Sequence, residues 1–292
     1  MAEITLYKVD RLLERIVSSR EPFEIGDAFT ALTFDIIGNH IGGSGLNFGT
    51  TEHPERMESE KFLVALDVAL RSRENAQKIF SGRLDRKMYK KRLDSYKTLH
   101  DSAMDVINDR LNGKTMSRDA DPDVLDRMIN TIDTETNEKM DIALIRNHII
   151  MFLLVGHDST SSLLTSLIYM LTQHPDVEDK IREEIETVIG DGKPNMENIK
   201  KLTYTMAVVK ETLRLFPPAV ALGKTCLKDT NLGPWKIREG ARMIVIIKEV
   251  HRNKEYWGEN ADKFDPTRFL PDSPNLQTHD YAWLPFSSGP RG

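Results

Sequence analysis

The segment from Asp141 to Gln173 constrains the fold most, because it is the longest stretch whose apolar residues recur at helical spacing. A helix of that length is about 50 Å long, which is enough to cross a whole domain. His174-Pro175 marks its end, since the residue before a proline disfavours the helical conformation. The rest of the chain must therefore be arranged around one long, mostly apolar helix.

Other segments with helical spacing lie on both sides of it. They are 25–41, 58–79, 84–111, 176–189 and 204–215. After Pro217-Pro218 the period changes, and Trp235 to Ile247 predicts a β-hairpin around Glu239-Gly240. The sequence thus predicts a mainly α protein with small β-sheets, and no linker indicates a division into two domains.

Composition excludes several classes of protein. A formal net charge of -5 over 292 residues argues against a general nucleic-acid binder, which needs an excess of basic residues on one face. No apolar run approaches the roughly 20 residues that span a bilayer, and the start has no signal-peptide pattern. The single cysteine, Cys226, excludes an internal disulfide and fits a reducing compartment.

The middle of the long segment contains residues that a buried helix normally avoids. Gly156 weakens a helix by roughly 1 kcal/mol relative to alanine, and the polar side chains that follow it compete for backbone hydrogen bonds. These polar residues are Asp158, Ser159 and Thr160. Such a conflict inside an apolar segment indicates a functional role. A hydrophilic face turned to solvent is the alternative that the pattern leaves open.

Two further patterns follow along the chain. Glu211 and Arg214 stand three residues apart on one predicted helix, which places both side chains on the same face. Glu-x-x-Arg alone is common on helix surfaces, but here a double proline follows, and Arg268 lies downstream in an aromatic-flanked turn. The chain then closes on Phe286-Ser287-Ser288-Gly289-Pro290-Arg291-Gly292, a short turn that presents an aromatic ring and a cation.

In this order and spacing, the motifs at Gly156, Glu211, Arg268 and Phe286 resemble those of the cytochrome P450 family. The last resembles the haem-binding loop Phe-x-x-Gly-x-Arg-x-Cys-x-Gly, up to the residue before the cysteine. The resemblance implies a cytochrome P450 fold, with residues 1–292 forming a partial haem domain truncated at both ends. The N-terminal β-region and early helices would be missing, and the cysteine that binds iron would lie beyond Gly292.

The resemblance also assigns roles to the long helix, which would lie across the oxygen-binding side of haem b. Asp158 would be the acid and Ser159 the alcohol of a proton relay that operates as the O–O bond breaks, with Thr160 as the alternative alcohol. Gly156 would let the helix backbone approach the haem. Val155 stands where the family has a small residue, so the resemblance does not determine the width of the oxygen and substrate pocket.

The remaining roles are structural or concern binding. Glu211, Arg214 and Arg268 would form a buried ionic cluster that ties the helix to the segment before the haem loop. Four residues would bind the cofactor in addition to Gly156: Lys224, Phe286, Gly289 and Arg291. The substrate pocket would be lined by Val155 and by a strand containing Ala219, Val220, Ala221 and Leu222. Neither Cys226 nor His157 is expected to bind iron.

The function implied is a haem-dependent monooxygenase that inserts one oxygen atom from O₂ into an apolar organic substrate. Electrons would come from NADPH through a reductase, fused or separate, with a weak resemblance to fatty-acid hydroxylases that carry a fused reductase. This chain alone would be inactive, because the cysteine ligand is absent. Such a protein would lie on the cytoplasmic side, soluble or attached to a membrane through a missing N-terminal segment.

Two alternatives stay open from the sequence. One is a catalytically inactive helical remnant of such an enzyme that binds a partner protein. The other is a structural all-α protein unrelated to haem, in which the four motifs would be accidental.

Overall fold

The computed structural model describes residues 2–53, 64–66, 68, 86–116, 122–273 and 279–288. The chain divides into two compact units, Met1–Ser161 and Ser162–Gly292, and the boundary falls within the longest helix.

The first unit is helical. Its helices are α1 (Ala2–Ser18), α2 (Ile25–Gly42), α3 (Arg86–Leu111), α4 (Val124–Asn130) and the first part of α5 (Ile142–Gln173), with a 3₁₀ turn at Gly43–Leu46 after α2. Helix α1 buries Ile4, Lys8 and Leu12, which recur every four residues and therefore share one face. Helix α4 begins at Asp123, whose carboxylate caps it by accepting a bond from the Asp126 amide.

Helix α5 lies at the core of this unit. Its Ile145, Ile149 and Leu153 are fully buried and line one face at a spacing of four. They pack in one cluster with side chains from the other helices, including Phe34, Ile41, Leu99, Ile107 and Leu125. Burying each such side chain contributes about 1.5–3 kcal/mol, so this stripe fixes which side of α5 faces inward.

The second unit combines helices with two small sheets. It contains the remainder of α5, then α6 (Pro175–Val188), α7 (Thr203–Leu215), and the single turns α8 (Ile247–Val250) and α9 (Lys254–Trp257). 3₁₀ turns lie at Ile199–Lys201 and Pro266–Phe269. Strand β1 (Leu222–Thr225) pairs antiparallel with β4 (Arg242–Val245), and β2 (Thr230–Leu232) pairs antiparallel with β3 (Trp235–Ile237).

The hairpin predicted around Glu239-Gly240 is therefore wrong. Gly240 does turn the chain, with φ +78°, but its amide and the Ala241 carbonyl bond the backbone of Cys226. That contact directs the two flanking strands into different sheets, and the actual hairpin closes at Gly233. The strand predicted to contain Ala219, Val220, Ala221 and Leu222 is also wrong in position, since β1 covers Leu222–Thr225 and includes only Leu222 of the four.

The predicted fold class is confirmed, because the structure is mainly helical with small antiparallel sheets. Helices α2, α3, α5, α6 and α7 begin and end within two residues of the predicted bounds. The segment predicted over 58–79 lies mostly outside the described residues, apart from helical residues 64–66 and 68. In the described part of the chain, no helix combines the length and apolar character needed to cross a membrane.

Candidate functional site

A buried ionic cluster forms where α7 meets the segment before Pro266. Glu211 receives two parallel bonds from Arg214, at 2.7 Å from Nε and 2.8 Å from Nη2. The Arg268 Nε lies 3.7 Å from the same carboxylate, and the Asp265 amide donates to it at 2.8 Å. The three ionic side chains that the sequence analysis grouped thus lie together, and none of them is more than 5% exposed.

The two arginines use their other nitrogens to hold irregular backbone. Arg214 donates to the carbonyls of His251, Ala261 and Lys263, and Arg268 donates to those of Trp257 and Asn260. These carbonyls belong to turns, in which few backbone amides are placed to donate to them. A buried carbonyl without a donor is costly. Arg214 also lies over the Trp257 ring, with its guanidinium carbon 4.8 Å from the ring centroid.

Burial and pairing act in opposite directions on Glu211. Burial raises the pKa of this carboxyl, while the Arg214 bond, the Asp265 amide and the charge of Arg268 oppose that rise. The cluster therefore depends on its two guanidiniums to keep a buried carboxylate ionised.

His251 is a residue whose role the sequence analysis missed. Its ring is fully buried, with Nδ1 3.1 Å from the Arg214 carbonyl and Nε2 2.7 Å from the Leu284 amide. Burial lowers the pKa of this imidazole to about 4, so the ring is neutral near pH 7. The partners of the ring, Arg214 and Leu284, lie 37 and 33 residues away from His251 along the chain, so no local spacing indicates these contacts.

Helix α5 presents two different faces along the predicted functional motif. On the packed face, a Cβ added at Gly156 would lie 2.6 Å from the Ile37 Cγ1 of α2, so this glycine allows close approach of the two helices. His157 is buried, with Nδ1 2.6 Å from the Leu153 carbonyl and its ring edge-to-face with Phe34. Burial lowers the pKa of His157. Haem approach at Gly156 stays a prediction, and the structure gives this glycine a helix contact.

The other face of α5 is open. Met151, Phe152 and Val155 are 53%, 41% and 55% exposed, and Asp158 is exposed one turn further along. Positions 151, 155 and 158 follow helical spacing and share that face. An apolar surface therefore ends at a carboxylate and a hydroxyl.

Both predicted alcohols bond their own helix. The Ser159 hydroxyl donates to the Val155 carbonyl at 2.9 Å, and the Thr160 hydroxyl donates to the Gly156 carbonyl at 3.3 Å. Each oxygen keeps lone pairs that can accept a further bond. Ser159 lies beside the open face, whereas Thr160, four residues after Gly156, lies on the same side of the helix as that glycine.

The other predicted binding residues lie in the second unit. Lys224 is an exposed residue of β1, and Phe286 is 75% exposed in a turn near the end of the described chain. The predicted pocket residues Ala219, Val220 and Ala221 precede β1, with Val220 56% exposed. Gly289 and Arg291 lie outside the described residues.

The described residues fit part of a haem site. The open apolar face of α5, with a carboxylate and a hydroxyl at its end, suits a large flat apolar group whose centre binds oxygen. The sequence contains one thiol, Cys226, which is buried and donates to the Lys228 carbonyl at 2.9 Å. Within the part of the chain that the structure describes, no three metal-binding side chains cluster. The described residues would surround such a group, and the Cys226 thiol is already engaged by the Lys228 carbonyl.

A second buried ionic cluster was not predicted. The Lys8 ammonium of α1 lies 3.2 Å from Asp35 of α2 and 2.9 Å from Glu52. Asp35 also accepts bonds from the amides of Thr50 and Thr51. Because Lys8 and its partners are 27 and 44 residues apart, no local spacing could have indicated this cluster.

Comparison with known proteins gives a consistent result. The family model for Cytochrome P450 matches residues 1–292. A Bacillus subtilis bifunctional cytochrome P450/NADPH–P450 reductase 2 is 33% identical over 285 residues, which cover 94% of this chain and 25% of the relative. An Arabidopsis thaliana cytokinin hydroxylase is 30% identical over 100% of this chain and 55% of its own length.

A secologanin synthase 2 from Catharanthus roseus is 32% identical over 71% of this chain and 41% of its own. The chain thus spans from a quarter to about half of the length of these relatives. The match to the family model covers every motif from Gly156 to Phe286, so an unrelated all-α protein is excluded. The chain belongs to the cytochrome P450 family.

Proposed function

We propose that this chain forms part of a haem-dependent monooxygenase that inserts one atom of O₂ into an apolar small molecule. The observation that carries the proposal is the open face of α5, where Met151, Phe152 and Val155 lead to Asp158 and Ser159. Bound haem supplies oxygen binding and activation by iron. The residues of α5 then have to exclude water, contact an apolar substrate and move protons.

Each role follows from position on the helix. The exposed apolar side chains offer one surface for the haem and for an apolar substrate beside it, because burying them against either removes their area from water. Asp158 is in contact with water and can take up protons from it. The Ser159 hydroxyl can pass a proton on, since its own proton can leave the Val155 carbonyl by rotation of one bond. Thr160 is the second hydroxyl of the motif.

Electrons would come from NADPH through a reductase. A relative at 33% identity is named as a fusion of cytochrome P450 with such a reductase, which supports this source of electrons for the family member proposed here. Whether the reductase is fused or separate does not alter the roles assigned to α5.

Titration of haem into the purified chain tests the proposal. We expect saturable one-to-one binding in the visible absorption spectrum, and we expect Val155→Asp to weaken it by about tenfold, since a charge is placed against an apolar ligand. Leu93→Asp on α3 is the matched control, because Leu93 is 50% exposed and Val155 is 55% exposed. Equal effects of the two substitutions would overturn the site.

Carbon monoxide added to the reduced, haem-loaded chain provides a second readout. We expect no thiolate-type spectrum, because Cys226 is bonded to the Lys228 carbonyl. A thiolate-type spectrum that disappears in Cys226→Ser would contradict the structural role of this thiol. A folded chain that takes up no haem would favour the inactive, partner-binding alternative.

A further inference from the structure

The His251 ring joins the end of α7 to the turn that carries Phe286. This turn, residues 284–287, is called the Phe286 turn. The Nδ1 atom lies 3.1 Å from the Arg214 carbonyl oxygen, and Nε2 lies 2.7 Å from the Leu284 backbone nitrogen. The side chain is fully buried, so water does not compete for either bond.

The partners determine where the proton of the ring lies. A backbone N–H can only donate, so the Nε2 that faces Leu284 must be unprotonated. A carbonyl can only accept, so the Nδ1 that faces Arg214 must carry the proton. One neutral tautomer satisfies both contacts, and the opposite tautomer breaks both.

The Leu284 contact fixes the whole Phe286 turn. The Leu284 carbonyl accepts from the Ser287 amide at 3.1 Å, which closes the turn, and Pro285 has no amide proton to offer. Ser287 has φ +68°, a conformation that costs a non-glycine residue free energy and that the surroundings must impose. His251 supplies such a constraint through Leu284.

The same histidine is tied back to the ionic cluster. Its backbone carbonyl accepts from Arg214 Nη1 at 2.8 Å, while its ring donates to the Arg214 carbonyl. A continuous chain of bonds therefore runs from Glu211 through Arg214 and His251 to Leu284. We propose that His251, as the Nδ1-protonated neutral tautomer, is a positioning residue that couples the Glu211–Arg214 pair to the Phe286 turn. Its importance for haem binding rests on the function proposed above, under which this turn begins the haem-binding loop.

Two substitutions separate the two bonds of the ring. His251→Gln places an amide oxygen near the position of Nε2, where it can accept from Leu284, and His251→Asn keeps a donor near Nδ1 only. His279→Gln is the matched control, because this exposed histidine also accepts a backbone amide, that of Tyr281 at 3.2 Å, close along the chain to the turn.

Hydrogen exchange at the Leu284 amide, measured on the haem-free chain, is the test. We expect His251→Asn to speed exchange by about tenfold, the equivalent of one hydrogen bond, and His251→Gln to speed it by about threefold or less. His279→Gln should leave it unchanged. Equal exchange in the Gln and Asn variants would overturn the proposal.

The nitrogen NMR spectrum of the His251 ring in the unsubstituted chain is a second test that needs no variant to fold. A proton on Nε2 would overturn the proposal, and a proton on Nδ1 supports it. Both measurements are made without haem, so a failure of haem binding would refute the proposed function and leave the positioning role standing.

Discussion

Replacing Glu211 by glutamine tests how the second unit is held together. The substitution keeps the shape of the side chain but removes its charge, leaving the guanidiniums of Arg214 and Arg268 buried without a counter-ion. The new amide group would also point a donor at one of the Arg214 donors that now bond the carboxylate at 2.7 and 2.8 Å.

The expected cost is large. Breaking a buried ion pair by removing one partner costs about 3–5 kcal/mol, because the remaining charge stays buried and uncompensated. A domain of ordinary stability has about 5–15 kcal/mol in total, so the loss ranges from about a fifth of the free energy of unfolding to all of it. An exposed pair behaves differently and contributes about 1 kcal/mol at most.

Urea unfolding, followed by tryptophan fluorescence, measures the loss in free energy of unfolding for the second unit. The three tryptophans, Trp235, Trp257 and Trp283, all belong to the second unit, so the signal reports on that unit alone. Glu178→Gln is the control, because Glu178 pairs with Arg182 on the exposed surface of α6 in the same unit. If Glu211→Gln lowers the free energy of unfolding no more than Glu178→Gln does, the cluster does not stabilise the unit.

Three further predictions concern His251, Gly156 and Ser287. Because burial lowers the pKa of His251 from 6.5 to about 4, the unfolded chain binds a proton first as pH falls, and the second unit should lose about 3 kcal/mol between pH 6.5 and pH 4. In His251→Gln this pH-dependent loss of stability, followed by tryptophan fluorescence, should vanish. A pH profile equal to that of the unsubstituted chain would contradict the prediction. Gly156→Ala should lower the melting temperature in circular dichroism, at a cost of about 1–2 kcal/mol, since its Cβ would overlap Ile37, and the loss should disappear in an Ile37→Ala background. Ser287→Gly should raise the free energy of unfolding by up to about 1 kcal/mol in urea, because Ser287 has φ +68°, whereas Ser288→Gly should give no gain.

The features that the sequence predicted well are those set by local spacing. The apolar period of α5 gave its bounds to within a residue, and the three-residue step from Glu211 to Arg214 placed both side chains on one face. The hairpin around Gly240 failed for the opposite reason. A glycine indicates that the chain turns, but the partner of each strand depends on contacts with distant backbone, here that of Cys226.

The motif of α5 for which a function is predicted shows the same limit. In the sequence, Gly156 and Asp158 belong to one motif. Their spacing does not predict which residue faces a cofactor and which faces another helix. The structure directs Gly156 toward Ile37 and leaves Asp158 exposed. Ile37 lies 119 positions away from Gly156 along the chain, so the identity of the packing partner is a property of the fold and not of the motif.

The two buried ionic clusters solve one physical problem in two places. Irregular backbone that is buried must find hydrogen-bond partners outside regular secondary structure. In the first unit, Asp35 accepts from the amides of Thr50 and Thr51, and Lys8 balances its charge. In the second unit the guanidiniums of Arg214 and Arg268 donate to turn carbonyls, and Glu211 balances them. In each case a buried charged side chain bonds a turn and pairs with an opposite charge, so the sign of the charge that bonds the turn follows from whether the turn presents amides or carbonyls.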